Sequence, residues 1–338
     1  MDFHPDKVAL RAAAEPEFVR ALGQRRFFGV GAIVRTLYGW YGQYREGRRI
    51  RLANSSARQA FRRFRPTLNL EQERLLGQLN TNGIATTRAS KLVGKAKWLE
   101  LQDAANAWLL TVDVREREEA YRSGQLLNAK DYLVRMFGLG ARIDWSSQWL
   151  HFAMTPEVLD LVNSYLGLMA RLNSVDVWDT VPRIHDGPDL GSQRWHRDPE
   201  ATRMLKVFLY LSDVDSASGP MNYVRQSRKG DRYGRLWPQE PPVRGSVPPE
   251  GSVERTVPAS AVEVCTFSSE TLMFVDTSGL HRGGRALLNR RVLAVWTFVP
   301  PSSVWPCRFS MDQDSSPEWL SSAARFALLP AGKEICQA

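Results

Sequence analysis

The fold class predicted for this chain is a mainly β core with added α: a double-stranded β-helix (jelly roll, cupin-like) flanked by amino-terminal helices. Three observations predict it. Up to about residue 170 the apolar residues recur at helical spacing, whereas from Val175 the chain breaks into short apolar runs separated by Gly, Pro, Asp and Ser. His196 and Asp198 stand one residue apart, so on an extended strand both side chains leave the same face and reach one point. His281, the third residue of that set, lies far downstream between two strand-like runs. A sheet folded back on itself brings such distant strand ends together.

The elements follow in order. Asn69 with Gln72 forms a capping-box start for a helix over Glu73–Leu79, and Asn82-Gly83 closes that unit with a turn. Residues 104–122 and 130–137 carry helical patterns. Thr155-Pro156-Glu157 opens another helix, with Pro in its first turn and Val158, Leu159, Leu161, Val162 and Leu166 on its apolar side. Residues 204–211 alternate as a half-buried strand, and 271–276 and 290–299 read as two more. Between them, 233–260 is rich in Pro, Gly, Ser and charge, as expected of a loop or lid over the site opening or of a surface excursion. The chain divides into a helical region at 1–170, a β core at 171–310 and a helical tail at 311–338, together one elaborated domain.

Composition sets the class of protein. The 338 residues, 43% hydrophobic and 24% charged, suffice for a substantial core. The three cysteines, Cys265, Cys307 and Cys336, are widely spaced, without a disulfide framework or metal-binding repeat. With an amino terminus unlike a signal peptide, they point to a reducing, cytoplasmic setting. The run Phe27–Val34 is too short to span a membrane and suits a buried segment, or a surface-lying one with Tyr38, Trp40 and Tyr41. Net charge is +9, with clusters at Arg45, Arg48, Arg49, Arg51 and at Arg58, Arg62, Arg63, Arg65. No zinc-finger or RNA-binding signature accompanies them, so an anionic small molecule or plain surface charge explains them ahead of nucleic acid.

Two imidazoles and a carboxylate in the order His196, Asp198, His281 match the 2-His-1-carboxylate face that holds non-haem iron(II). Around them stand Trp195-His-Arg-Asp198, Gly219-Pro-Met-Asn-Tyr-Val-Arg-Gln-Ser227, Phe274-Val-Asp276, Leu280-His-Arg-Gly-Gly284 and Asn289-Arg-Arg-Val-Leu293. On these segments the stretch from Trp195 to Val299 resembles the phytanoyl-CoA dioxygenase-like family of iron(II)/2-oxoglutarate-dependent oxygenases. Two departures stand out: Arg197 where the family carries a neutral residue, and Arg225-Gln-Ser-Arg228 where it commonly reads Pro-Gly-Ser-His.

The resemblance implies His196, Asp198 and His281 as catalytic metal ligands for Fe(II), with 2-oxoglutarate and O2 as cosubstrates. It implies a basic residue for the distal carboxylate of 2-oxoglutarate; Arg290 matches that position, with Arg291 as its alternate. Tyr210, which shares a strand face with Phe208 and Lys206, is either a cosubstrate neighbour or packing. Arg194, Arg197 and Arg203 are candidate substrate contacts or ordinary surface arginines. The implied reaction converts 2-oxoglutarate to succinate and CO2 while oxidising, by hydroxylation first, a small-molecule metabolite of a biosynthetic pathway, with an anionic one preferred. Related halogenases replace the carboxylate with a small residue, so Asp198 favours hydroxylation. Two other readings stand beside this one: a cupin-type metalloprotein that does not use 2-oxoglutarate, and a catalytically silent basic binding protein.

Overall fold

The computed structural model describes residues 41–42, 44–123, 132–183, 188–240, 244–311, 317–318 and 320–328. The apolar run at 27–34, with the aromatic residues at 38 and 40, lies outside them, as does most of the tail beyond 311.

The helical region follows the expected starts and stops, with interruptions. Residues 44–53 are helical and lead through Asn54 into α1 (Ser55–Arg63), whose last turn carries Arg62 and Arg63. Helix α2 (Leu70–Asn82) has the full capping box: Gln72 N donates to the Asn69 side chain and Asn69 N to that of Gln72. Gly83 ends it in the left-handed region at φ 82°. The next residues are not helical. Ile84–Arg88 form strand β1, followed by α3 (Ala89–Val93) and α4 (Lys95–Leu109). The helical pattern at 104–122 is broken after Leu109, and α5 (Arg115–Arg122) starts afresh. The expected helix at 130–137 is instead strand β2 (Leu133–Arg135), because Leu133 and Val134 find backbone partners on the sheet edge. After β3 (Ala141–Arg142) come α6 (Gln148–Ala153) and α7 (Pro156–Leu166), the latter with Pro156 at its start and Gly167 as a left-handed cap.

The β region supplies β4 (Arg171–Thr180), β5 (Leu205–Tyr210), β6 (Met221–Val224), helix α8 (Ser252–Thr256), β7 (Val262–Val264), β8 (Thr271–Val275), β9 (His281–Gly283), β10 (Arg291–Val299), β11 (Phe309–Ser310) and helix α9 (Ser322–Leu328). The larger sheet has the order β1-β8-β5-β10-β4-β2, with every pairing antiparallel. A smaller antiparallel sheet has the order β7-β6-β9. The sequence region expected to be mainly helical therefore contributes both edge strands of the main sheet.

Strand alternation then sorts the core into two layers. Val207, Leu209, Leu272, Phe274, Val292, Ala294, Trp296 and Phe298 face the helices and pack on Leu75, Leu79, Trp98, Leu101, Phe152 and Leu161. On the other face Phe208, Tyr210, Met273, Val275, Leu293 and Val295 meet Met221 and Tyr223 of the smaller sheet and Cys265 just after it. Two antiparallel sheets packed face to face, one of them helix-covered, make a jelly-roll-like core. All nine residues of β10 are buried, as its central place between helices and second sheet requires.

Segment 233–260 is not a free excursion. Tyr233, Leu236, Val253 and Val257 pack with Trp195 and Leu280 beneath the loop that carries His196. Glu254 on α8 accepts from Trp195 Nε1 at 2.7 Å and pairs with Arg282 at 3.2 Å. Arg228 binds the core to the helical layer by donating to the Leu79 and Asn80 carbonyls and to the Tyr165 hydroxyl.

Candidate metal centre

His196 and His281 exchange both backbone hydrogen bonds across an antiparallel bridge, N to O at 2.9 and 3.0 Å. That bridge joins the loop before β5 to the start of β9 and sets the two imidazoles side by side, ring centroids 4.2 Å apart. Asp198 N donates to the Thr277 carbonyl at 2.9 Å, which turns its side chain towards the same point. The Thr277 loop is itself held: Ser278 Oγ donates to Asp276 Oδ1 at 2.7 Å and Tyr165 Oη to Asp276 Oδ2 at 2.6 Å. Burial raises the Asp276 carboxyl, and these donors oppose that shift.

One potential ligand atom from each of His196, Asp198 and His281 lies within 4.8 Å of the others, and no other set of three metal-competent side chains clusters this way among the described residues. His196 Nε2 stands 3.5 Å from Asp198 Oδ1, and His281 Nε2 stands 3.5 Å from Asp198 Oδ2. Each Nδ1 faces a backbone carbonyl, Arg194 O at 2.8 Å and Gly279 O at 3.0 Å, so each ring donates from Nδ1 and keeps its Nε2 lone pair for a metal. Burial, with His196 alongside, lowers the His281 pKa to about 3, leaving a neutral imidazole. Asp198 is equally buried, yet Lys206 and the two imidazoles hold its carboxyl well below the usual range. Neutral imidazoles and an ionised carboxylate are the protonation states a divalent metal needs.

Lys206 is a member of the site that the sequence reading used only as a neighbour of Tyr210. It points inward from β5, with Nζ 2.7 Å from Asp198 Oδ2 and 3.9 Å from Glu200 Oε1. Strand alternation was the signal: residues 206, 208 and 210 share the interior face.

The two candidate anchor arginines part company. Arg290, the position preferred from sequence, stands just before β10 and pairs through both Nε and Nη2 with the carboxylate of Asp179 on β4, with more than a third of its side chain exposed. Its charge is already used. Arg291 opens β10, opposite Thr180 and on the same face as Leu293, and is 5% exposed. Its Nε and Nη1 find no acceptor, nor does Thr180 Oγ1 find a partner, among the described residues. Burial lowers the Arg291 pKa, and the ionisable groups that face it are Tyr210, Tyr132 and Cys265, none of them a carboxylate. A Cβ built on Gly283, two residues after His281, would lie 3.7 Å from Arg291 Nη2. A buried guanidinium without a counter-anion beside the histidine strand suits a bound carboxylate.

The remaining candidates fall elsewhere. Tyr210 is fully buried and donates to the Cys265 carbonyl at 3.0 Å, so it belongs to the wall of this interior. Arg197 points away from the metal face, as alternation between His196 and Asp198 dictates, and donates to the carbonyls of Ser227, Trp237, Leu236 and Ser278. Its donors are taken by these carbonyls, and it holds the 233–237 turn in place. Arg194 is exposed and meets the site through its carbonyl alone. Arg203 is exposed and lies over the Tyr165 ring, 4.4 Å from its centroid.

No protein-family model and no curated protein matches the chain. Among solved structures it is similar to EctD from S. alaskensis with 2-oxoglutarate and 5-hydroxyectoine, at 12% identity and TM-score 0.46 over 75% of this chain and 83% of that one. It is also similar to the epimerase SnoN in complex with Fe3+, alpha ketoglutarate and nogalamycin RO, at 16% identity and TM-score 0.45 over 68% of this chain and 83% of that one. HygX from Streptomyces hygroscopicus, with nickel and 2-oxoglutarate bound, gives 15% identity and TM-score 0.44 over 72% and 90%. Likenesses this distant carry no argument about the reaction.

Proposed function

We infer that this protein is an iron(II)/2-oxoglutarate-dependent dioxygenase with a double-stranded β-helix core, which hydroxylates a small-molecule metabolite. The observation that carries the reading is a pair of features: a His196–Asp198–His281 cluster tight enough for one ion, and the buried guanidinium of Arg291 on the adjoining interior wall, with no anion partner among the described residues. Iron(II) would be held by His196, Asp198 and His281 and would supply the oxidative chemistry that converts 2-oxoglutarate to succinate and CO2.

The residues divide the work around that group. His196 and His281 offer Nε2 because Arg194 O and Gly279 O fix the opposite nitrogens. Asp198 supplies the negative charge, and Lys206 keeps it ionised before the ion arrives. Arg291, with Thr180 opposite, takes the distal carboxylate of 2-oxoglutarate through charge-assisted hydrogen bonds. The described helices include none long and apolar enough to cross a membrane.

The test is an anaerobic titration of metal-free protein with Fe(II) and 2-oxoglutarate, followed through the visible charge-transfer band of the chelate and then, on admitting oxygen, through succinate. His196→Ala should abolish the band. Arg291→Gln should weaken cosubstrate binding by about tenfold or more, the scale of a buried charge-assisted pair, while Arg290→Gln leaves it nearly unchanged. No band and no succinate in the unaltered protein would sink the assignment. Weakening confined to Arg290→Gln would return the anchor to that residue.

A further inference from the structure

A cavity of about 210 Å³ opens between the basic amino-terminal helical segment and the barrel. Its charged lining is Glu46, Arg49 and Arg58 on the helical side, with Glu200 and Arg203 on the loop that follows Asp198. Arg49 is already neutralised, 2.6 Å from Glu46, and donates to the Ser302 carbonyl. Arg58 and Arg203 meet no carboxylate among the described residues. Glu200 is 3% exposed; its Oε1 takes Arg308 at 3.2 Å and Lys206 at 3.9 Å, while Oε2 finds no donor.

Among the described residues the cleft therefore shows two guanidiniums without a carboxylate partner and one buried carboxylate oxygen in want of a hydrogen. A buried acceptor left unmade is costly, and an O–H or N–H of a ligand satisfies it. Guanidinium forks select phosphate or carboxylate oxygens. The floor of this cleft also touches the metal centre electrostatically, because Lys206 lies between Glu200 and Asp198.

We propose that this cleft seats the polar head of the substrate, a small polyhydroxylated anion, with its phosphate or carboxylate between Arg58 and Arg203 and a hydroxyl donated to Glu200. The substrate role rests on the oxygenase reading; the binding itself does not.

The experiment is calorimetric titration of the full chain, metal-free and at low salt, with four probes: glucose 6-phosphate, gluconate, glucose and inorganic phosphate. Glucose 6-phosphate or gluconate should bind about tenfold more tightly than either glucose or phosphate alone. The double variant Arg58→Gln/Arg203→Gln should lose about tenfold for that anionic probe, and Glu200→Gln should reduce its advantage over inorganic phosphate. The double variant changes side chains outside the His–Asp–His cluster, so its melting temperature and its iron–2-oxoglutarate band should stay as in the parent. Binding of no anionic probe, or equal binding by parent and double variant, would overturn the proposal. A chelate band without cleft binding removes the cleft alone; cleft binding without a band removes the substrate role together with the oxygenase reading.

Discussion

His281 shows how single residues carry this site. Its burial lowers its pKa from the ordinary 6.5 to about 3, so between those values the unfolded chain binds a proton that the folded chain refuses. Stability of the metal-free protein then rises with pH through that window and falls on acidification. Asp198 acts in the same direction, since its folded carboxyl is also held low. Urea midpoints of chelator-treated protein between pH 4 and 7 should rise with pH, and His281→Gln should flatten the slope; an unchanged slope would mean the imidazole is not buried neutral. Lys206→Met removes the cation that faces two buried carboxylates, and loss of one partner of such a group costs about 3–5 kcal/mol. Its melting temperature should drop, and Ni(II) should raise it by more than it raises the parent's, because the metal then provides the missing charge. The clustering of His196, Asp198 and His281 was legible from their spacing together with the strand-like runs on either side. That Arg291 and not Arg290 faces the interior was not, because the inward face of β10 is set by its register with β5, Leu293 opposite Tyr210. Arg197 could have been read correctly: a residue between two that share a strand face points to the other side.

At the scale of elements, β10 shows what alternation reveals and where it stops. Its apolar run was plain in the sequence, yet a strand buried on both faces shows no alternation to fix its boundaries or neighbours. Trp296 is fully buried, 4.4 Å from the Phe152 ring, and donates from Nε1 to the Trp149 carbonyl at 2.8 Å. Trp296→Ala leaves a cavity between sheet and helices and an orphaned carbonyl, and should cost about 3–5 kcal/mol. Chemical denaturation measures it; a loss under about 1 kcal/mol would mean the helical layer does not rest on this ring. The two edge strands were missed for different reasons. β2 is three residues long, too short for any period to declare itself. β1 carries Ile84 and two threonines, a strand composition, but it directly follows a well-capped helix within a region that reads as mainly helical.

For the molecule as a whole, the helical layer and the β core meet at several polar points, and one of them closes the proposed cleft. Asn54 Nδ2 donates to Ser302 Oγ at 3.0 Å, and Ser302 N donates to Asn54 Oδ1 at 2.8 Å, all of it buried. This reciprocal pair spans 248 residues of sequence, so no local pattern could announce it. Neither Asn54 nor Ser302 stands out in composition, whereas the arginines around them do. Asn54→Ala leaves both Ser302 groups without their protein partner, at a cost of about 1–3 kcal/mol. Most of that loss should appear locally, because α1 is anchored otherwise by a small cluster of Ala57, Leu168 and Met169. Amide exchange across 44–63 should therefore quicken while exchange in β5 and β10 stays slow. Binding of anionic probes in the cleft should weaken as its helical wall loosens, with the iron–2-oxoglutarate band unchanged. Uniform acceleration through the core strands would show instead that helix and β core open as one cooperative unit, and that the cleft is part of the rigid core.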